Sequence, residues 1–110
     1  HYIGENAKII NSLIVEGCII NGKVENSVLS QGVYVGKNTV IIDSVIMPNV
    51  QIGDNVRIEK AIIGNNAIIN HGCIIKNSND IEVIGAYQYV VNKVNLRYKE
   101  ITEKSQTVNM

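Results

Sequence analysis

Large aliphatic residues recur along this chain at intervals of five, six and six, and the rhythm closes every 17 residues from Ile41 to Ile74. Ile41, Ile46 and Ile52 open the three intervals of one unit, and Ile58, Ile63 and Ile69 open those of the next. A smaller residue, such as Ser44, Ala61, Ala67 or Cys73, stands two places before an opening aliphatic. Residues two apart on an extended chain point to the same side, so each interval predicts a short strand with one large and one small residue turned inward. The large set runs Ile3, Ile9, Ile14, Ile20, Val24, Leu29, Val35, Ile41, Ile46, Ile52, Ile58, Ile63, Ile69 and Ile75. The unit from Ile9 is two residues short, and the loss falls at Asn21-Gly22, which predicts a tightened corner. The small slot recurs as Ser27, Ser44, Ala61 and Ser78, after which the pattern decays: the next aliphatic slot holds Asp80 and Ile81 comes one place late. About five turns are expected, the last incomplete, with residues 1–85 forming the coil and 86–110 a terminal strand and tail.

The corners carry a second signal. Each six-residue interval places a pair between strands, from Glu5-Asn6, Glu16-Gly17, Gln31-Gly32 and Lys37-Asn38 to Pro48-Asn49, Asp54-Asn55, Asn65-Asn66 and His71-Gly72. The second member is always Asn or Gly, the residues that accept a left-handed backbone at least cost. Asn55 and Asn66 are therefore expected at positive φ. Three short parallel strands per turn, joined by tight corners and stacked in register, make a prism-shaped all-β solenoid, a parallel β-helix of hexapeptide repeats. The beginning at His1-Tyr2-Ile3 lies already inside the repeat, which suggests a piece of a longer protein.

Composition narrows the picture where it meets this geometry. The absence of Phe and Trp matches an interior with room for one aliphatic per strand and none for a ring. Ten Lys plus Arg balance ten Asp plus Glu, so nothing argues for nucleic acid or an anionic membrane as partner. Apolar runs fall far below the ~20 residues of a membrane span, and no signal peptide opens the chain, so a soluble cytoplasmic protein is expected. Cys18 and Cys73 both occupy small inward slots, some four turns apart, too distant for a disulfide; buried free thiols fit a reducing compartment. Neither has neighbours that would make it a metal ligand or a nucleophile.

The outward positions divide into three faces. One carries Lys8, Lys23, Glu25, Arg57, Glu59 and Lys76; a second shows Tyr2, Tyr34, Gln51 and Asn70 among glycines and Ile68. The third is apolar: Leu13, Val28, Val45 and Ile62 recur at spacings of 15, 17 and 17, and Val15 and Met47 widen the stripe. A monomer rarely leaves such a ladder in water, so these six residues are the candidate interface.

Particular blocks also resemble a known family. Asn11-Ser-Leu-Ile-Val-Glu-Gly-Cys18, Glu25-Asn-Ser-Val-Leu-Ser30, Asp43-Ser-Val-Ile-Met-Pro48 and Arg57-Ile-Glu-Lys-Ala-Ile-Ile63 look like the carboxy-terminal β-helix of bacterial ADP-glucose pyrophosphorylase, glucose-1-phosphate adenylyltransferase, over about Tyr2 to Ser78. The resemblance implies a left-handed coil, against the usual crossover hand. It also implies an amino-terminal nucleotidyltransferase-like domain, missing from this chain, that joins ATP and glucose 1-phosphate into ADP-glucose and pyrophosphate. The β-helix itself would be non-catalytic, serving assembly and part of the effector response in a homo- or hetero-oligomer of pyrophosphorylase subunits, with no cofactor of its own. The ending Ile84-Gly-Ala-Tyr-Gln-Tyr-Val-Val-Asn-Lys93 looks more like the regulatory, glycogen biosynthesis D-type subunit. Arg57, Lys60, Lys76 and Arg97 match no effector motif.

Two other readings compete. Acyltransferases that use an acyl-CoA share this coil and place a catalytic His near a subunit boundary; His71 is the candidate, yet its corner offers no carboxylate to orient the ring. An assembly module of another sugar-nucleotide or translation-factor homologue is the third. In the tail, Val94, Leu96 and Tyr98 alternate with Asn95 and Arg97, which predicts an extended strand.

Overall fold

A computed structural model describes residues 1–77 and 79–91. Every regular element in it is a strand of two or three residues, and all pairings are parallel. The chain is a left-handed parallel β-helix of about five turns. Its first sheet stacks Tyr2–Ile3, Ile19–Ile20, Tyr34–Val35, Gln51–Ile52, Ile68–Ile69 and Tyr89–Val90. The second stacks Lys8–Ile10, Lys23–Glu25, Val40–Ile42, Arg57–Glu59 and Ile74–Ile75, and the third Leu13–Ile14, Val28–Leu29, Val45–Ile46, Ala61–Ile63 and Glu82–Ile84. The strand expected around Val94, Leu96 and Tyr98 lies outside the described residues.

The inward set is as the periodicity requires. From Ile20 to Ile75 every expected large aliphatic is at most 1% exposed, and Val33, Val50 and Val56 join Cys18, Ala61, Ala67 and Cys73 in the small slots. Ile3, Ile9 and Ile14 are less covered because their turn has a neighbour on one side only among the described residues. Both thiols are buried and unpaired. Cys18 Sγ donates to the Ser30 carbonyl at 3.1 Å.

Small polar residues inside the coil do not go unsatisfied. The hydroxyls of Ser12, Ser27 and Ser44 each donate to the carbonyl two residues back, Ile10, Glu25 and Ile42, at 2.8 Å. Each then accepts the backbone N–H one turn on, from Ser27, Ser44 and Ala61, at 3.0 to 3.1 Å. The result is a continuous ladder from Ser12 to Ala61, in which each serine hydroxyl bridges one turn to the next. Thr39 does the same work at another corner, donating to Gly53 and accepting from Val56.

Asn55 and Asn66 stand at φ 59° and 61°, and Gly17, Gly32, Asn38, Asn49 and Gly72 share the left-handed region. Asn6 does not, because its one neighbouring corner is the shortened Asn21-Gly22, which offers no left-handed residue to stack against. A third column of left-handed residues is not announced by any pair motif: Asn11, Asn26, Asp43 and Lys60, at the corners between the second and third sheets. Lys60, at φ 52°, is the ill-suited member. Replacing Lys60 by Asn is expected to raise stability by about 0.5 to 1 kcal/mol, read as a shift in the urea midpoint at constant slope. A loss instead would assign the Lys60 side chain a structural contact.

The repeat does not end where the aliphatic rhythm falters. Ala61, Ile62 and Ile63 pair with Glu82, Val83 and Ile84, a step of 21 rather than 17, and Ile68 and Ile69 pair with Tyr89 and Val90. Four extra residues are taken up at the corner between Ile75 and Glu82, so the decay expected from Asp80 and Ile81 is a local insertion rather than the end of the coil. The last described rung thus lies beyond residue 85. Glu82 takes the inward small slot stacked on Ala61, 6% exposed, and Asn77 Nδ2 donates to its carboxylate at 2.6 Å.

Candidate interface

Pairing register decides which outward residues become neighbours. On the third sheet Leu13 stands on Val28, Val28 on Val45 and Val45 on Ile62, as their spacing requires. Val83 continues the column above Ile62, a member hidden from the sequence by the 21-residue step. All five are exposed, Leu13 at 62% and Val45 at 37%. Val15 and Met47 occupy the flanking column, where the backbone ladder places Ser30 between them and Gly64 beyond Met47. The stripe is therefore one unbroken aliphatic column with two isolated outriggers.

The second sheet bears the charge and neutralises part of it. Lys23 pairs with Glu25 at 3.5 Å, and the Arg57 guanidinium with the Glu59 carboxylate, two places along the same strand in each case. Exposed pairs of this kind contribute little to stability, but they keep the face polar. Beside it, the shortened corner opens a notch of about 660 Å³ between the corners at Glu5-Asn6 and Lys37-Asn38, walled by Tyr2 and Val40. Lys23, Lys37 and Glu5 give it mixed sign.

His71 sits exposed in a corner stack. Its Nδ1 accepts the backbone N–H of Asp54 at 2.8 Å, and Asp54 Oδ1 in turn accepts the backbone N–H of Lys37 at 2.8 Å. The Nδ1 lone pair is thereby taken up by a backbone amide rather than left free for a substrate hydroxyl or amine. The side chain works here as a corner brace.

The first sheet differs from its expected reading. Its outward column is Tyr2, Ile19, Tyr34, Gln51, Ile68 and Tyr89, so Ile19 and Tyr89 join the residues anticipated for that face and make it largely apolar as well. Tyr89 was out of reach of the 17-residue count for the same reason as Val83. Among the described residues no helix is long and apolar enough to cross a membrane.

Comparison with known proteins places this architecture. Residues 2–95 match the family model described as GlmU-like, C-terminal hexapeptide. The chain is 51% identical over 86 residues to glucose-1-phosphate adenylyltransferase of Bacillus thuringiensis (strain Al Hakam) and equally to that of Bacillus anthracis, covering 76% of this chain. It spans 23% of the length of these relatives. Among solved structures, the acetyltransferase domain of PglB from Neisseria gonorrhoeae superposes with a TM-score of 0.66 at 21% identity, over 84% of this chain and 49% of that one, a likeness of fold. The chain belongs to the GlmU-like C-terminal hexapeptide family, and within it is similar to the β-helix of bacterial glucose-1-phosphate adenylyltransferases.

Proposed function

We propose that this chain is the assembly and regulatory β-helix of a glucose-1-phosphate adenylyltransferase subunit in glycogen biosynthesis, of the D-type, acting in the cytoplasm and itself non-catalytic. The nucleotidyl transfer belongs to an amino-terminal domain, and the coil holds that domain or a neighbouring subunit against the column Leu13, Val28, Val45, Ile62 and Val83, with Val15 and Met47 at its margin. The observation that carries this reading is that exposed column, in a chain half identical to adenylyltransferases several times its length. The acyltransferase alternative loses weight because Nδ1 of its one candidate base, His71, is occupied by a backbone amide.

Mixing the chain with the isolated amino-terminal domain of a Bacillus adenylyltransferase and measuring association by light scattering tests the proposal. Changing Val45 and Ile62 to Lys buries two unpaired charges in the contact and is expected to weaken it by roughly a hundredfold or more, with the circular dichroism of the coil unchanged. Undiminished association would overturn the assignment of this face.

A further inference from the structure

The outward column of the first sheet reads nearly the same in both directions. Along the six rungs it runs Tyr2, Ile19, Tyr34, Gln51, Ile68, Tyr89, each paired in register with the next. Inverted, it places Tyr opposite Tyr at both ends, Ile opposite Ile one rung in, and Tyr opposite Gln at the two central rungs. Of the residues two further along each strand, Asn21 mirrors Asn70 and Gly36 mirrors Gly53 about the same midpoint, while the end pair is Gly4 and Val91. Neither column carries a formal charge. Tyr2, Ile19, Tyr34, Ile68 and Tyr89 are between 39% and 65% exposed.

We propose that this face pairs with the same face of a second copy, the two coils antiparallel about a dyad that lies along the strand direction between the rungs of Tyr34 and Gln51. Such an axis reverses the order of rungs and leaves each column opposite its own counterpart, which is the condition for an isologous contact. Tyr2 meets the partner's Tyr89, Ile19 meets the partner's Ile68, and the Tyr34 hydroxyl lies against the partner's Gln51 amide, twice over. Glycines at the central rungs let the two sheets approach closely where that polar pair must form. The end rungs are five steps of ~4.8 Å apart, ~24 Å in all. That is a small face, so the dimer is weak and concentration-dependent. Uncharged surfaces add no repulsion between identical copies, whereas the same inversion through the second sheet would set Lys23 against the partner's Arg57 twice over. This contact is separate from the third-sheet column assigned to the adenylyltransferase partner, and variants of Val45 and Ile62 leave it intact.

Sedimentation velocity on the chain across a concentration series tests it. A monomer–dimer equilibrium is expected for the unaltered chain. Ile19→Lys with Ile68→Lys sets Lys against Lys at both contacts and should weaken dimerisation by roughly a hundredfold or more. Ile19→Lys with Ile68→Glu carries equally polar changes but makes two complementary pairs across the dyad, and should restore association to within about tenfold of the original. Recovery in the charge-swapped variant is specific to antiparallel pairing. A monomer at all concentrations, a trimer, a double-Lys variant that still dimerises, or a swap that fails to recover while keeping the β-sheet circular dichroism would each overturn the proposal.

Discussion

Replacing Ile58 by Ala is expected to lower the stability of the coil by about 2 to 5 kcal/mol. Ile58 is fully buried in the second sheet, stacked between Ile41 and Ile75, with the inward residues of the other two sheets closing around it. A solenoid has no distant contacts to compensate, since each turn touches only the turns next to it; a void there weakens the junction with the turn on either side. Backbone hydrogen bonds between turns hold the strands at their spacing, so the walls cannot collapse onto the missing methyl groups, which puts the cost toward the upper part of the range. Ile9, in the same column but in the first turn and only half-buried, should cost roughly half as much. Urea unfolding of the two variants decides the matter: equal losses, or a loss below about 1 kcal/mol at Ile58, would contradict the described core.

The second large effect is expected at a glycine. Gly22 takes the place of the longer corners in neighbouring turns, where two residues are missing, and it is buried. A methyl group there would fall on the carbonyl oxygens of Thr39 and Gly36, the latter at 2.9 Å. The Thr39 carbonyl accepts the Lys23 N–H at 2.8 Å, so it cannot move aside without breaking the link between turns. Gly22→Ala should therefore cost about 2 to 3 kcal/mol. Two other glycines calibrate this value. At Gly72, where nothing lies near but φ is +76°, Ala should cost about 1 kcal/mol from backbone strain alone. At Gly85, where Gln88 Cγ is the nearest neighbour at 3.6 Å, it should fall within about 0.5 kcal/mol of neutral. Thermal or urea midpoints in any other order would show that the shortened corner is not closely packed.

The candidate interface was legible in proportion to the regularity of the repeat beneath it. Leu13, Val28, Val45 and Ile62 could be stacked on paper because their spacings are one turn each, the deletion at Asn21-Gly22 included. Val83 and Tyr89 could not, because the four-residue insertion leaves no periodic mark of its own and shifts everything after it. Ile19 was visible as an outward residue but gained meaning only beside Tyr2 and Tyr34 in one column.

The sequence by itself determined the coil. Inward aliphatics, small partners and Asn or Gly corners are local choices, repeated until only one closed path satisfies them all, and a turn is short enough for its register to be counted. What the tertiary structure alone decided is how turns meet where the count breaks. Lys60 adopts a left-handed corner because backbone hydrogen bonds to Ile42 and from Glu82 hold it there, against the preference of its side chain. The carboxylate of Glu82 enters a slot meant for a small residue because the strand containing Val83 and Ile84 must continue the third sheet. In both places the stacking of neighbouring turns, a contact between residues some 20 positions apart, outweighs the local propensity on which sequence reading depends.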